Sequence, residues 1–149
     1  MDVIQSVTFG VALVGAVLGI LNTWRAFDRD RVSLLVAPNI VHAIIDGKFG
    51  PPLLSINIVN LSFFAVTIAE VGFLLRGTKE RWVIAPPIMM DGGKFPRRLE
   101  PRSSFSVLAE SGTHLRPDFV KVTHAFAVTE CRRTFKGKGP AFKALMDIG

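Results

Sequence analysis

Cysteine and charged residues are scarce in this sequence, and tyrosine is absent. Cys131 is the single cysteine of 149 residues, which excludes a fold held together by intrachain disulfide bonds. Charged residues make up 20% of the chain and hydrophobic residues 49%, a balance too apolar for a disordered protein. A chain of this length forms one ordinary domain with at most a short appendage, so a multidomain enzyme is also excluded.

The longest run without charge stands at the start of the chain. Residues 3–24 hold no charged side chain over 22 positions. As a helix at about 1.5 Å per residue, the run reaches about 33 Å, which is enough to cross a hydrocarbon core of about 30 Å. We therefore expect a transmembrane anchor over residues 1–24 and a juxtamembrane linker over residues 25–31.

Two other interpretations of this run are weaker. A secretory signal peptide needs a basic segment before its apolar core, and only Met1 and Asp2 precede the run. A buried core helix of a soluble protein seldom extends this far without a charge. An uncleaved membrane anchor is therefore the expectation.

The residues that flank the run predict its orientation. Asp2 stands on its amino-terminal side, whereas Arg25, Arg29 and Arg31 follow its other end. Because arginine and lysine near a span tend to remain in the cytoplasm, we expect an inner (cytoplasmic) membrane protein with an outside amino terminus and a cytoplasmic domain. Trp24, Arg25 and Arg29 are the expected interfacial anchors.

Small and polar residues recur at helical intervals along this run. Thr8, Ala12, Gly15, Gly19 and Asn22 fall on one seam, separated by three or four positions. Small side chains let two helices approach closely in lipid, and Gly15-x-x-x-Gly19 is the local form of that arrangement. The alternative is that glycine is simply common in membrane helices. The seam predicts packing on a second copy of the chain or on a partner membrane protein.

Beyond residue 31 the apolar residues alternate with polar ones, as they do in β-strands. Leu54, Ile56 and Ile58 alternate with Ser55 and Asn57, which suits a half-buried strand. We expect a mainly β domain, an antiparallel sandwich or small barrel, over residues 32–138, and a tail or short helix over 139–149. The predicted strands are Val32–Val36, Ile40–Ile45, Leu53–Val59, Val66–Leu75, Arg81–Ala85, Ser103–Ala109 and Phe119–Glu130, and the predicted turns include Asp46–Gly47, Gly50–Pro52, Arg76–Gly77, Asp91–Gly93 and Ser111–Gly112.

Several segments resemble parts of a small immunoglobulin-like β-sandwich. They are Leu54–Asn60 followed by Val66–Phe73, Leu99–Pro101 leading into Phe105–Val107, and Ala125–Phe135, which looks like a strand, a tight polar turn and a returning strand. Behind a single anchor, this order resembles that of many uncharacterised bacterial single-pass membrane proteins. The resemblance implies an immunoglobulin-like antiparallel β-sandwich. The pattern departs from that family because there is no cysteine pair and no tyrosine, so the likeness concerns architecture and transfers no activity.

The sequence contains no recognisable constellation for catalysis or metal binding. His42, His114 and His124 are far apart and lack the close spacing of a zinc site. No Gly-x-Ser-x-Gly elbow is present, and the glycine-rich stretches lack the Walker spacing. Cys131 beside two arginines is either a reactive thiol or, as the plainer interpretation, an inert turn cysteine. We therefore expect neither an enzyme nor a cofactor.

The net charge of +6 is confined to the last third of the chain. Residues 1–93 hold seven basic and seven acidic side chains, whereas residues 94–149 hold eleven basic and five acidic ones. Anionic lipid attracts each nearby basic residue by about 1 kcal/mol, so we expect contact with a polyanion or partner, with a solvated face as the alternative. Nucleic acid is unlikely to be that polyanion, because no recognised motif or aromatic stacking platform accompanies the charge. The first basic cluster is Arg97, Arg98 and Arg102, and the second is Arg132, Arg133, Lys136, Lys138 and Lys143.

These observations together predict a non-enzymatic, membrane-anchored interaction or scaffold module, a subunit of a membrane-associated complex. We expect the anchor to lie in the lipid bilayer, and anionic lipid is a candidate ligand. One alternative is a membrane-active phage- or toxin-type effector, for lysis or defence, that acts through oligomerised anchors. The other is a nucleic-acid-binding domain tethered to the membrane.

Overall fold

A computed structural model describes residues 2–45, 47–89, 91–109, 121–140 and 142. The chain divides into two compact units, residues 1–32 and residues 33–149. The first unit is helical and the second is a β domain. Several predicted features lie outside the described residues, namely the turn at Ser111–Gly112, His114, the start of the strand at Phe119, Lys143 and most of the terminal helix.

The first unit is one long helix, α1, which spans Val3–Arg29. Residues 25–29, expected to form a linker, are therefore helical, because nothing between Trp24 and Arg29 breaks a helix as proline or glycine would. The side chains of residues 3–27 are all exposed. The segment Val3–Phe27 has the length and composition of a helix that crosses a membrane, and a signal sequence has the same properties.

The second unit consists of two antiparallel sheets, as the mainly β prediction requires. In the first sheet the strand order is β1-β2-β7-β5, and in the second it is β4-β3-β8-β9, with β6 paired to β3. All strand pairs are antiparallel. The strands are β1 Leu34–Ile45, β2 Lys48–Asn60, β3 Val66–Leu75, β4 Arg81–Val83, β5 Ile88–Met89, β6 Arg97–Leu99, β7 Ser104–Leu108, β8 Val122–Thr129 and β9 Thr134–Gly137.

The first hairpin is longer than the sequence predicts. Residues 34–45 form one strand rather than two, and the expected turn at Gly50–Pro52 is wrong because these residues belong to β2. Among the described residues, β7 pairs only with residues 55–59, so in this part of the structure the outer part of β2 has a free edge. Proline is tolerated at a free edge, since its missing N–H leaves no ladder bond unmade. Of the predicted Asp46–Gly47 turn, Asp46 lies outside the described residues, whereas Gly47 has a φ of 75° next to the pair of Ile45 with Lys48.

The direction of the side chains along β2 and β8 determines which of their residues lie in the core. Leu54, Ile56 and Ile58 are buried, as predicted for one face of β2. Strand β8 lies between β3 and β9, and residues 125–129 are buried without alternation. A central strand covered on both faces carries such a run.

The two sheets come closest where Gly137 of β9 faces Val36 of β1. A Cβ on Gly137 would collide with the main-chain carbonyl of Val36, so only glycine fits there. Strand β1 also contacts β8, and β2 contacts β3, so the two sheets share the core.

Replacement of Gly137 by alanine is expected to lower the free energy of unfolding by about 1–3 kcal/mol, because the added methyl forces β9 away from β1. Urea denaturation of the full chain in mild detergent measures this loss. Thr134→Ala, at an exposed position of the same strand, serves as the control and is expected to change stability by less than about 1 kcal/mol. Equal effects of the two substitutions would contradict the close approach.

Candidate functional site

One end of the β domain contains its first residue, Ser33, and the loops that lie at the same end of the two sheets. We call it the Ser33 end and define it as Ser33, loop 61–65, turn 100–103 and turn 130–133. The Leu61 amide donates to the Ser33 carbonyl at 2.9 Å, and the Ser33 amide donates to the Ser62 hydroxyl at 2.8 Å. The strand pairs that bring the other loops to this end are Leu34 with Asn60, Val59 with Ser104, Val66 with Leu99 and Ile68 with Thr129.

Asn60 holds the loops of the Ser33 end together. Its side chain is completely buried, and its Nδ2 donates to the carbonyls of Phe64 at 2.8 Å, Leu99 at 3.0 Å and Glu100 at 3.2 Å. Its Oδ1 accepts from the Ser62 amide at 2.9 Å. One carboxamide therefore supplies hydrogen bonds to polar groups of both sheets.

Turn 100–103 presents Arg102 beside an exposed aromatic ring. The Ser103 amide donates to the Glu100 carbonyl at 3.2 Å, and Arg102 has a φ of 60°. Proline before such a residue is typical of a type II turn, whose third position normally holds glycine. The Arg102 guanidinium lies 4.8 Å from the centroid of the Phe63 ring, within cation–π range.

Turn 130–133 carries a second arginine with a left-handed backbone. The Arg132 amide donates to the Thr129 carbonyl at 2.9 Å, and Arg132 has a φ of 65°. The Glu130 amide donates to the Thr67 carbonyl of β3 at 2.9 Å, which fixes the turn to the sheet. The predicted strand, polar turn and returning strand are thus confirmed, with Arg132 and Arg133 both exposed.

The structure divides the predicted basic clusters differently from the sequence. Arg98, Arg102, Arg132 and Arg133 come from both clusters and meet at the Ser33 end, where Arg98 forms an ion pair with Glu100 at 2.9 Å. Lys136 and Lys138 lie elsewhere, since Lys136 pairs across the sheet with Phe126 in the middle of β8.

Arg97 has a structural role. Its guanidinium donates to both carboxylate oxygens of Asp91 and lies 4.8 Å from the centroid of the Phe105 ring. The hydrogen bond from Arg97, with help from the Gly93 amide, lowers the pKa of Asp91 to about 2. Arg97 is therefore engaged within the domain, which sequence proximity to Arg98 did not reveal.

Comparison with models of protein families gives no match, and comparison with curated proteins gives none. The function is therefore argued from geometry. Among the residues that the structure describes, no group of three or more histidine, cysteine, aspartate or glutamate side chains is arranged to hold a metal ion.

A cleft of about 1060 Å³ lies where β3 ends, with the two lysines on one side of it. Burial lowers the pKa of His124 in its wall, and Lys138 and Lys136 add repulsion to the protonated ring. Phe142 also lines the cleft and packs edge-on against Phe73 at 6.1 Å between ring centroids.

The predicted seam of α1 is exposed along its whole length. A Cβ added at Gly15 or Gly19 would meet no atom within 4 Å, so this face is open to a second helix. The Thr8 hydroxyl donates to the Ile4 carbonyl at 2.8 Å and needs no other partner. Ala12 and Asn22 lie on the same open face, and Trp24, Arg25 and Arg29 are exposed at the end of the helix.

Cys131 is exposed in turn 130–133, and its Sγ lies 3.1 Å from the Thr129 hydroxyl. A hydroxyl that donates to sulfur stabilises the thiolate. This hydrogen bond, followed by the Arg133 amide and the Arg133 charge, lowers the pKa of Cys131.

Replacement of Asn60 by alanine is expected to reduce the free energy of unfolding by about 3 kcal/mol, because the carbonyls of Phe64, Leu99 and Glu100 each lose the hydrogen bond from Nδ2. Asn57→Ala in the same strand is the control. The Asn57 Oδ1 has no partner among the described residues, so its removal is expected to cost less than about 1 kcal/mol. Chemical denaturation of the full chain in detergent gives both values, and similar losses would contradict the role of Asn60.

Thr129→Val is expected to slow alkylation of Cys131 at neutral pH. Loss of the hydroxyl raises the pKa of the thiol towards its usual range, so less of the reactive thiolate is present. The pH dependence of the iodoacetamide reaction measures the change, with Thr123→Val on the same strand as control. An unchanged midpoint would show that the hydroxyl does not act on the sulfur.

Proposed function

We propose that this chain is a non-enzymatic, single-pass membrane protein whose β domain serves as an interaction module. The observation that carries the proposal is that α1 exposes every side chain from Val3 to Phe27 and is followed by a compact β domain. Exposed apolar surface on this scale is costly in water and favourable in lipid.

The strand order supports an immunoglobulin-like interaction module. The orders β1-β2-β7-β5 and β4-β3-β8-β9 correspond to the A-B-E-D and C′-C-F-G sheets of that architecture. Such a sandwich is a rigid scaffold that carries contact residues on the loops at its two ends. The fold itself names no partner.

Several polar side chains of the β domain are engaged in holding its strands and loops together. Asn60 ties loops together, Arg97 is paired with Asp91, and Arg81 is paired with Glu70 at 2.8 Å. Each of these groups stabilises the fold. The two ends of the domain instead present exposed basic side chains, which suit contact with an acidic partner.

The proposed anchor is tested by fractionation of cells that express the full chain. The protein is expected to remain in the membrane pellet after alkaline carbonate extraction, with an intact mass that includes residue 1. A mature chain that begins after residue 24 would identify a signal sequence and would overturn the proposal. Partners that co-purify in mild detergent identify the complex of which the chain is a subunit.

The proposed orientation places the β domain in the cytoplasm, because Arg25, Arg29 and Arg31 follow the span. Cys131 is exposed and is the single cysteine, so it reports the side of the membrane directly. A membrane-impermeant maleimide is expected to label it only after the inner membrane is permeabilised. Labelling in intact spheroplasts would reverse the orientation.

The open seam supports association of α1 with another helix. Gly15→Leu with Gly19→Leu is expected to weaken self-association in a membrane two-hybrid assay at least about tenfold, because the bulkier residues separate the helices. Val17→Leu, about half a turn away on the exposed helix, is the control and is expected to have little effect.

The same variants test the second candidate function, a membrane-active effector, which the open glycine face also favours. Membrane depolarisation that depends on Gly15 and Gly19 would support the effector. Benign expression of the full chain with co-purifying partners would support the interaction module. Association that is unchanged in the double variant would contradict a role for the seam in either function.

A further inference from the structure

The Ser33 end combines exposed apolar rings with unpaired basic side chains. Phe63 is 60% exposed, Leu61 39% and Phe64 36%, within one short loop. Arg102 lies over Phe63, and turn 130–133 adds two further exposed arginines. Aromatic rings and arginines in one surface match the headgroup region of a bilayer, which accepts apolar rings beside anionic groups.

This surface is held in place by the fold. Asn60 donates to the carbonyl of Phe64 and to that of Glu100, so the aromatic loop and the Arg102 turn share one anchor point. The Arg102 guanidinium covers the Phe63 ring at 4.8 Å. The apolar and basic groups are therefore presented together, with little ordering required when they bind.

The length of the connecting chain limits where this surface can lie. Helix α1 ends at Arg29, and Ser33 follows four residues later. Four residues extend at most about 14 Å. Ser33 is hydrogen-bonded to Leu61 and Ser62 of the aromatic loop, so this loop lies beside the first residue of the β domain.

We propose that the Ser33 end binds anionic headgroups of the leaflet that holds the anchor. Phe63 and Phe64 enter the headgroup region, and Arg102, Arg132 and Arg133 contact lipid phosphates. The charge is complementary, because Arg98 is neutralised by Glu100, and among the residues that define this end Glu130 is the one acidic side chain opposite Arg102, Arg132 and Arg133. The proposal rests on the proposed membrane anchor.

The native cysteine provides a reporter for this contact, since Cys131 lies in turn 130–133 and is exposed. The full chain is labelled there with an environment-sensitive fluorophore and reconstituted into phosphatidylcholine vesicles, with or without about one third phosphatidylglycerol. A nitroxide lipid with its spin label at headgroup depth is the quencher. We expect about twofold or greater quenching in the anionic vesicles relative to neutral ones.

Two substitutions test the residues that the structure brings together. Phe63→Ser and Arg102→Ser, both at exposed positions, are each expected to remove at least about half of the quenching. Lys136→Ser with Lys138→Ser removes positive charge away from the Ser33 end and is expected to leave it unchanged. A label moved to the opposite end of β3, in Cys131→Ser with Lys79→Cys, lies about 30 Å from the Ser33 end and is expected to remain unquenched.

The outcomes separate failure of this inference from failure of the anchor. In a Trp82→Phe background, quenching of Trp24 by an acyl-chain nitroxide lipid reports insertion of the helix. If Trp24 is quenched and the Cys131 label is not, the inference is wrong and the anchor stands. If neither is quenched, both are wrong. Protection of Cys131 in native membranes but not in protein-free vesicles would assign this end to a protein partner and overturn the inference.

Discussion

The β domain depends on the buried carboxamide of Asn60. The residue ends β2 in one sheet, and its Nδ2 reaches the carbonyl of Leu99, which ends β6 in the other sheet. The same group holds the carbonyls of Phe64 and Glu100. Strand ends leave main-chain groups without ladder partners, and burial of such groups is costly. One side chain with two donor hydrogens and one acceptor reduces this cost for loop 61–65, turn 100–103 and the end of β6.

Because Asn60 makes these hydrogen bonds, the Ser33 end of the β domain is rigid. Arg102 and Arg132 both occupy left-handed backbone positions in tight turns, where glycine is usual. Their side chains extend outward while the turns are tied to the sheets through Asn60 and Thr67. Such turns suit binding, because loose loops would lose conformational entropy on binding.

Much of the fold was predictable where the signal is local. The uncharged run predicted α1, and the alternation around Ile56 predicted the buried face of β2. Composition gave a wrong prediction where pairing with a neighbouring strand determines the local structure. Gly50–Pro52 has the composition of a turn, yet it belongs to β2, because β1 pairs with this part of the chain on one edge. The helix also extends to Arg29, because charges end an apolar run without ending a helix.

The sequence by itself determined the long exposed helix, most of the strands and the location of positive charge in the last third of the chain. These properties follow from the order of residues over one or two turns of helix or a few strand positions. Only the tertiary structure decided which arginines act together. It paired Arg97 with Asp91, placed Arg102 and Arg132 in turns at the same end of the β domain, and placed Lys136 opposite Phe126 in the middle of β8. Hydrogen bonds such as that from Asn60 to Leu99 join residues distant in sequence, so they depend on the order in which strands pair, which local periodicity does not contain.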